Sequence, residues 1–277
     1  MLSQQRQKLI LDYLRTHKSA QVQQLSDILG ISLSTVRRDL SDMEEFGSVR
    51  RVHGGAMLVQ DVPESPILQR SDEYIDAKQR IGQVAAKMVN DGDTIIITGG
   101  TTAEMMLPHL AEKSNLTVVT NALNVAWKLA QHTHINVVVL GGYLRHSEYT
   151  LLGHLTIEAL KDIHVSKIFH GIYGLDSEGG LSGTYIQEVQ TDRGIISAAE
   201  QLIILADSSK FGRTGAVRLV PIDQVSTLIT DTDAPADEIA ILREKGIRAT
   251  LYHRLHHGIH DKRIACINHA WRVDTGF

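Results

Sequence analysis

The stretch that decides the first domain is Leu25-Ser26-Asp27-Ile28-Leu29-Gly30-Ile31-Ser32-Leu33-Ser34-Thr35-Val36-Arg37-Arg38-Asp39-Leu40. Val22, Leu25, Ile28 and Leu29 recur at helical spacing. Gly30 follows where a helix end favours positive φ. Ser32 then stands at an N-cap position, three residues ahead of Thr35. The spacing predicts a further helix from Leu33 to Glu45, ended by Gly47. Upstream, Leu9, Ile10, Tyr13 and Leu14 predict a helix before both. On a wheel, Leu33, Val36, Leu40 and Met43 share an apolar sector. Ser34, Thr35, Arg38, Asp42 and Glu45 lie on the other side, with Arg37 at the flank.

Ser48-Val49-Arg50-Arg51-Val52-His53-Gly54-Gly55-Ala56-Met57-Leu58 comes next, and its Gly-Gly pair reads as a hairpin turn. Three helices and a basic hairpin in this order predict a winged helix-turn-helix that binds double-stranded DNA. A recognition helix reads base edges mainly with its N-terminal residues. Ser34, Thr35 and Arg38 are therefore the candidates for bases, and Arg37, Arg50, Arg51 and His53 for the phosphate backbone.

The charge is divided in a way that fits. Residues 1–60 carry 8 Lys and Arg against 6 Asp and Glu, and the remainder carries 20 against 26. The acidic remainder is expected to keep off DNA. A head so mildly basic binds weakly alone, so a homodimer or homotetramer is expected. A single cysteine, Cys266, excludes a disulfide framework. There is no apolar run typical of a signal peptide or a membrane span. Together these predict a cytoplasmic protein.

Residues 60–76, with Pro63 and Pro66, read as a connection between the head, residues 1–59, and a second domain, residues 77–252. There, helical and strand patterns alternate. Thr94–Thr98, Leu116–Thr120, Asn136–Leu140, Lys167–Gly171, Leu202–Ala206 and Thr227–Thr230 are the strand candidates. Ile81–Val89, Leu123–Gln131, Thr156–Ile163 and Ala236–Lys245 are helical. This alternation predicts an α/β fold with a mainly parallel, Rossmann-like sheet covered on both faces.

Ligands of such sheets collect at the C-terminal ends of the strands. Gly99-Gly100-Thr101-Thr102 follows the first strand and opens a helix, a combination suited to phosphate. It is neither a Walker loop nor a Gly-x-Gly-x-x-Gly dinucleotide loop. Asn121, Gly141, Gly142, Arg145, Gly174, Asp176 and Lys210 follow other strands. A phosphate cradle, an amide, two cations and a carboxylate thus converge on one sheet edge. Neither a cofactor nor a metal is expected.

With Gly47 and Arg51-Val52-His53-Gly54-Gly55-Ala56, the opening stretch resembles the DeoR family of bacterial transcriptional regulators. The likeness extends through Gly100-Thr101-Thr102, Thr120-Asn121-Ala122-Leu123, Leu140-Gly141-Gly142 and Ala206-Asp207-Ser208-Ser209-Lys210-Phe211-Gly212, to about residue 252. The resemblance implies a repressor of sugar-utilisation genes. It also implies a C-terminal domain akin to sugar-phosphate isomerases that senses a phosphorylated sugar. Glu188 matches the family and is a candidate for a sugar hydroxyl. Two positions depart from the pattern: Thr98 stands where the family commonly has an acid, and Asp192 where it usually has a Lys. A different class of function, a sugar-phosphate isomerase with a DNA-binding head, would need Asp176 or Glu188 as its base. Beyond the family's usual end, residues 253–277 hold five of the 14 histidines. His256 and His260 are four apart, but Gly258 between them argues for an extension rather than a metal site.

Overall fold

The structure, a computed structural model, describes residues 3–17, 19–45, 49–52, 54–58 and 66–252. Gly47, His53 and the His-rich extension therefore lie outside the described residues, as do residues 59–65.

The head contains α1 (Ser3–His17), β1 (Ser19–Gln21), α2 (Val22–Leu29), α3 (Leu33–Glu45), β2 (Val49–Val52) and β3 (Gly55–Leu58). The predicted Leu33–Glu45 helix is present with those bounds. Ile10, Leu14, Leu25, Val36, Leu40 and Met43 form its core, with Val49 and Ala56 from the wing. Leu9, expected on the apolar face of the first helix, is exposed instead. Gly30 takes φ 63° as the C-cap of α2, a conformation that costs a Cβ-bearing residue strain. Strands β2 and β3 pair antiparallel, with Val52 opposite Gly55. The short strand β1 adds to β3 on its other side.

Of the stretch read as a connection, residues 66–76 are folded. They contain α4 (Ile67–Arg70) and the start of α5 (Ile75–Lys87). Ile67 is buried, and its N–H donates to the Ser147 carbonyl at 2.9 Å. The physical reason is that a buried isoleucine and an ion-paired Arg70 tie this segment down, despite Pro66 beside it.

The second domain continues with β4 (Thr94–Ile97), α6 (Thr101–Glu104), β5 (Thr117–Thr120), α7 (Leu123–Leu129) and β6 (Asn136–Val139). Then come β7 (Tyr143–Arg145), β8 (Thr150–Leu152), α8 (His154–Glu158), β9 (Val165–Gly171), β10 (Gly174–Asp176) and β11 (Gly180–Gly183). The described part closes with α9 (Ile186–Ile196), β12 (Ala199–Leu205), β13 (Val217–Arg218), β14 (Val225–Asp231), α10 (Ala236–Glu244) and β15 (Arg248–Tyr252).

Seven strands form one sheet in the order β15-β14-β12-β9-β4-β5-β6, every pair parallel. Alternate side chains feed two cores. Ile95, Ile97, Val118, Phe169, Ile203 and Leu205 pack with α5 residues Ile81 and Ala85. Ile96, Val119, Ile168, Leu202 and Ile204 pack with Val189 of α9 and Leu242 of α10. Burial on both faces explains why these strands read as unbroken β-branched runs. From β4 the chain winds outward to β5 and β6, then returns to the other side of β4 as β9. The winding direction therefore reverses between β4 and β9, and ligands of open α/β sheets bind beyond such a reversal.

Candidate functional site

On the head, Ser32 caps α3: the Thr35 N–H donates to Ser32 Oγ at 3.3 Å. The Ser32 hydroxyl also contacts Ser34 Oγ at 2.9 Å and Thr35 Oγ1 at 2.8 Å. Ser34, Arg37, Arg38 and Arg51 are exposed, and Thr35 is half-buried. Asp39 is the opposite case, only 1% exposed. Its carboxylate accepts from Arg6 Nε at 2.6 Å and Nη2 at 2.9 Å. The Arg51 N–H donates to Glu44 Oε1 at 2.8 Å, which fastens the wing to α3. Of Arg50 only the backbone is described.

In the second domain a cleft opens beyond the ends of β4 and β9, with about 750 Å³ between its walls, mouth included. Gly99, Gly100, Thr101, Thr102, Asn121, Glu188 and Lys210 line it together. Gly100 has φ 115°, a conformation essentially restricted to glycine. It lets the chain turn into α6 with buried Thr101 and Thr102 in its first turn. Asn121 is buried; its Nδ2 donates to the Leu151 carbonyl at 3.2 Å, while its Oδ1 has no partner among the described residues.

Five expected residues lie elsewhere. Arg145 does not line the cleft; its guanidinium is ion-paired with Glu188 and lies 4.8 Å over the Tyr185 ring. Gly142 is needed where β8 passes: a Cβ there would stand 2.4 Å from Thr156 Oγ1. The Gly141 carbonyl accepts from that same hydroxyl at 2.6 Å. A Cβ on Gly174 would meet the Arg213 carbonyl oxygen at 2.2 Å. The Asp176 carboxylate accepts from the Glu178 N–H at 2.9 Å, closing the turn between β10 and β11.

The cleft also contains residues that the sequence reading passed over: Arg70, Glu148, Thr150, His170, Ser182 and Thr184. Arg70, the last residue of α4, is ion-paired with Glu148. Buried Lys78 donates to the Arg70 carbonyl at 2.6 Å, and burial brings its amine down to about 8. His170 Nδ1 stands 3.0 Å from Thr98 Oγ1. Burial lowers the imidazole to about 4, so the ring is neutral near pH 7. Asp192 is pushed well above the usual carboxylate range, first by burial and then by the charge of Glu188.

Residues 6–62 match the family model for the DeoR-like helix-turn-helix domain, and residues 73–232 that for the DeoR C-terminal sensor domain. The chain belongs to the DeoR family. This DeoR-family protein is a transcriptional regulator, with a DNA-binding head and a sensor domain behind it. It is 31% identical over 251 residues to the glycerol-3-phosphate regulon repressor of Escherichia coli K12, covering 91% of this chain and 100% of that one. It is 33% identical over 238 residues to the HTH-type transcriptional repressor GlcR of Bacillus subtilis, covering 83% and 89%. It is 28% identical over 250 residues to a putative aga operon transcriptional repressor of Escherichia coli O157:H7, covering 89% and 93%. Among solved structures, ribose 5-phosphate isomerase A of Methanocaldococcus jannaschii overlaps 51% of this chain and 56% of its own, at 18% identity and a TM-score of 0.39. That overlap is too slight to bear on chemistry. Among the described residues, no helix is long and apolar enough to cross a membrane.

Proposed function

We propose that this regulator represses carbohydrate-utilisation genes and that a phosphorylated sugar in the β4–β9 cleft sets its operator affinity. The observation that carries the reading is the grouping of Gly99–Thr102, Asn121, Glu188 and Lys210 around one cleft at the reversal of the sheet. The Gly99–Thr102 backbone and Lys210 receive the phosphate. Asn121 Oδ1, buried without a partner among the described residues, accepts from a sugar hydroxyl. Ser34, Thr35 and Arg38 contact bases, and Arg37, Arg50, Arg51 and His53 contact phosphates.

The cleft is arranged for sensing rather than turnover. Glu188 is held by Arg145 and lies 3.4 Å from the Thr150 hydroxyl, and Asp176 closes a turn outside the cleft. Neither carboxylate stands ready as the base an isomerase needs. Effector entry competes with Glu148 for Arg70, and α4 passes the change toward the head.

The protein works in the cytoplasm as a homodimer or homotetramer. Edge strand β6 and helix α7 supply a contact face: Trp127 is 75% exposed, and Leu123 and Val139 are exposed beside it. An apolar face of this kind marks an interaction surface. Two joined heads then span successive major grooves.

A thermal-shift screen of phosphorylated sugars against their unphosphorylated parents tests the reading, because a ligand of the folded state alone raises its melting temperature. Stabilisation only by phosphorylated members, with release from operator DNA and no product formed, is the expected result. Equal stabilisation by the free sugars, or turnover, would overturn it.

A further inference from the structure

One part of the cleft lining holds an acid with no bonded cation among the described residues. Asp192 lines the cleft with a side chain 14% exposed. Its carboxyl makes no hydrogen bond among the described residues, and its Oδ2 stands 3.9 Å from His170 Nε2, too far for one. The Thr98 hydroxyl faces the carbonyl oxygens of Gly99 and Phe169, each at 3.5 Å. The Thr98 hydroxyl also stands 3.0 Å from His170 Nδ1, a contact in which either group can donate. Glu188 is also an acid, and it lies one turn before Asp192 on α9. Its Oε2 is taken by Arg145.

A ligand that brings a cation gains most here, because the cation can replace the proton on Asp192. A sugar hydroxyl has one proton to give, whereas a primary ammonium has three and a charge. A buried carboxylate is stable only when a cation or several donors compensate it. No cation is bonded to Asp192 among the described residues, and burial correspondingly holds its proton on.

We infer that the cleft selects a phosphorylated amino sugar, whose ammonium sits against the Asp192 carboxylate beside His170 while its phosphate takes the Gly99–Thr102 loop and Lys210. The inference rests on the phosphorylated-sugar reading of the same cleft and narrows it. Asp192 is the specificity-determining residue: seating the ammonium requires its carboxyl proton to leave for solvent. Acylation of the amine removes both the charge and two of the donors.

Calorimetric titration of the full chain tests this with glucosamine 6-phosphate and galactosamine 6-phosphate, their hydroxyl counterparts glucose 6-phosphate and galactose 6-phosphate, and N-acetylglucosamine 6-phosphate. At least one amine is expected to bind about tenfold tighter than its alcohol or more, the gain of donating to a charged group. N-acetylation is expected to erase that gain. Asp192→Asn, checked by an unchanged melting curve, is expected to abolish the preference of amine over alcohol. Equal binding of amine and alcohol by the native chain overturns the inference, as does a preference that survives D192N. So does binding of other phosphorylated sugars with none of these five. If no phosphorylated sugar binds at all, the reading of the cleft itself fails, and this inference with it.

Discussion

Arg6 and Asp39 join the first and third helices of the head through two parallel hydrogen bonds, Nε to Oδ2 at 2.6 Å and Nη2 to Oδ1 at 2.9 Å. In the run Arg37-Arg38-Asp39-Leu40, two exposed cations are followed by a buried anion and a buried leucine. The acid therefore faces away from the surface that carries Arg37 and Arg38, and it fixes the pitch of α3 against α1. Asp39→Ala should weaken operator binding about tenfold or more, because Arg6 loses this bidentate anchor and the reading helix its orientation. Gel-shift titration and circular dichroism on the purified chain check this. Undiminished DNA affinity would show that the pair is ornamental.

Arg38→Ala removes an exposed side chain, proposed to read a base, and nothing from the core. A bidentate arginine–guanine contact supplies about 1–3 kcal/mol of discrimination. Specific binding should fall by roughly one to two orders of magnitude, with effector affinity unchanged. A parallel loss of effector binding would refute the division between the two domains.

Lys210→Met keeps most of the buried aliphatic stem and removes the charge. Hydrogen bonds to charged groups contribute about 1.5–3 kcal/mol, so effector affinity should drop at least about tenfold. The variant should still hold operator DNA but no longer let go when effector is added. Normal release in a reporter assay would exclude Lys210 from the cradle.

His170 gives a pH dependence with a definite sign. Its folded value of about 4 lies below the ordinary 6.5. The unfolded chain takes up a proton in that interval which the folded chain refuses. The residue's contribution is thus complete above about pH 6.5 and is lost as the pH falls toward 4. Asp192, raised in the folded state, works in the opposite sense: its contribution is present in acid and is lost as pH rises through its folded value. His170→Gln should flatten the acid limb of a melting-temperature profile, measured by scanning calorimetry. Profiles that run parallel for the two proteins would contradict this.

Trp127→Glu places a charge on the exposed face of α7 beside the sheet edge. The proposed oligomer should dissociate in sedimentation experiments, and operator affinity should fall with it, since each head alone is mildly basic. An unchanged sedimentation coefficient would move the contact elsewhere.

The legible parts of the chain were those where local chemistry and tertiary need coincide. Thr94-Ile95-Ile96-Ile97 announces a strand because both faces are buried. Leu33–Glu45 announces a helix because Ser32 caps it and one face is apolar. Edge strand β15 was missed: Arg248-Ala249-Thr250-Leu251-Tyr252 is only partly buried and carries no alternation to betray it. Helix α9 was missed because its apolar residues are scattered, with Ile186 exposed and Gly194 packed on Ile157.

The cleft was half legible for similar reasons. Gly99-Gly100-Thr101-Thr102 shows itself locally, since the turn and the helix start are adjacent in sequence. Gly142 and Gly174 imitate that signal, yet each exists to let another segment of chain pass. Arg70 was hidden in a proline-marked stretch, and His170 inside an apolar strand. Nothing local distinguishes such residues; only the winding order of the sheet brings them to one place.

Arg70 stands at the end of the first described helix after the head and in the wall of the cleft at the same time. Its carbonyl is gripped by Lys78 and its guanidinium by Glu148. On the proposed reading, metabolite occupancy and the tether of the reading head meet in that side chain, so news of a bound sugar needs no relay across the sheet. It is already at the doorway through which the polypeptide enters the sensor.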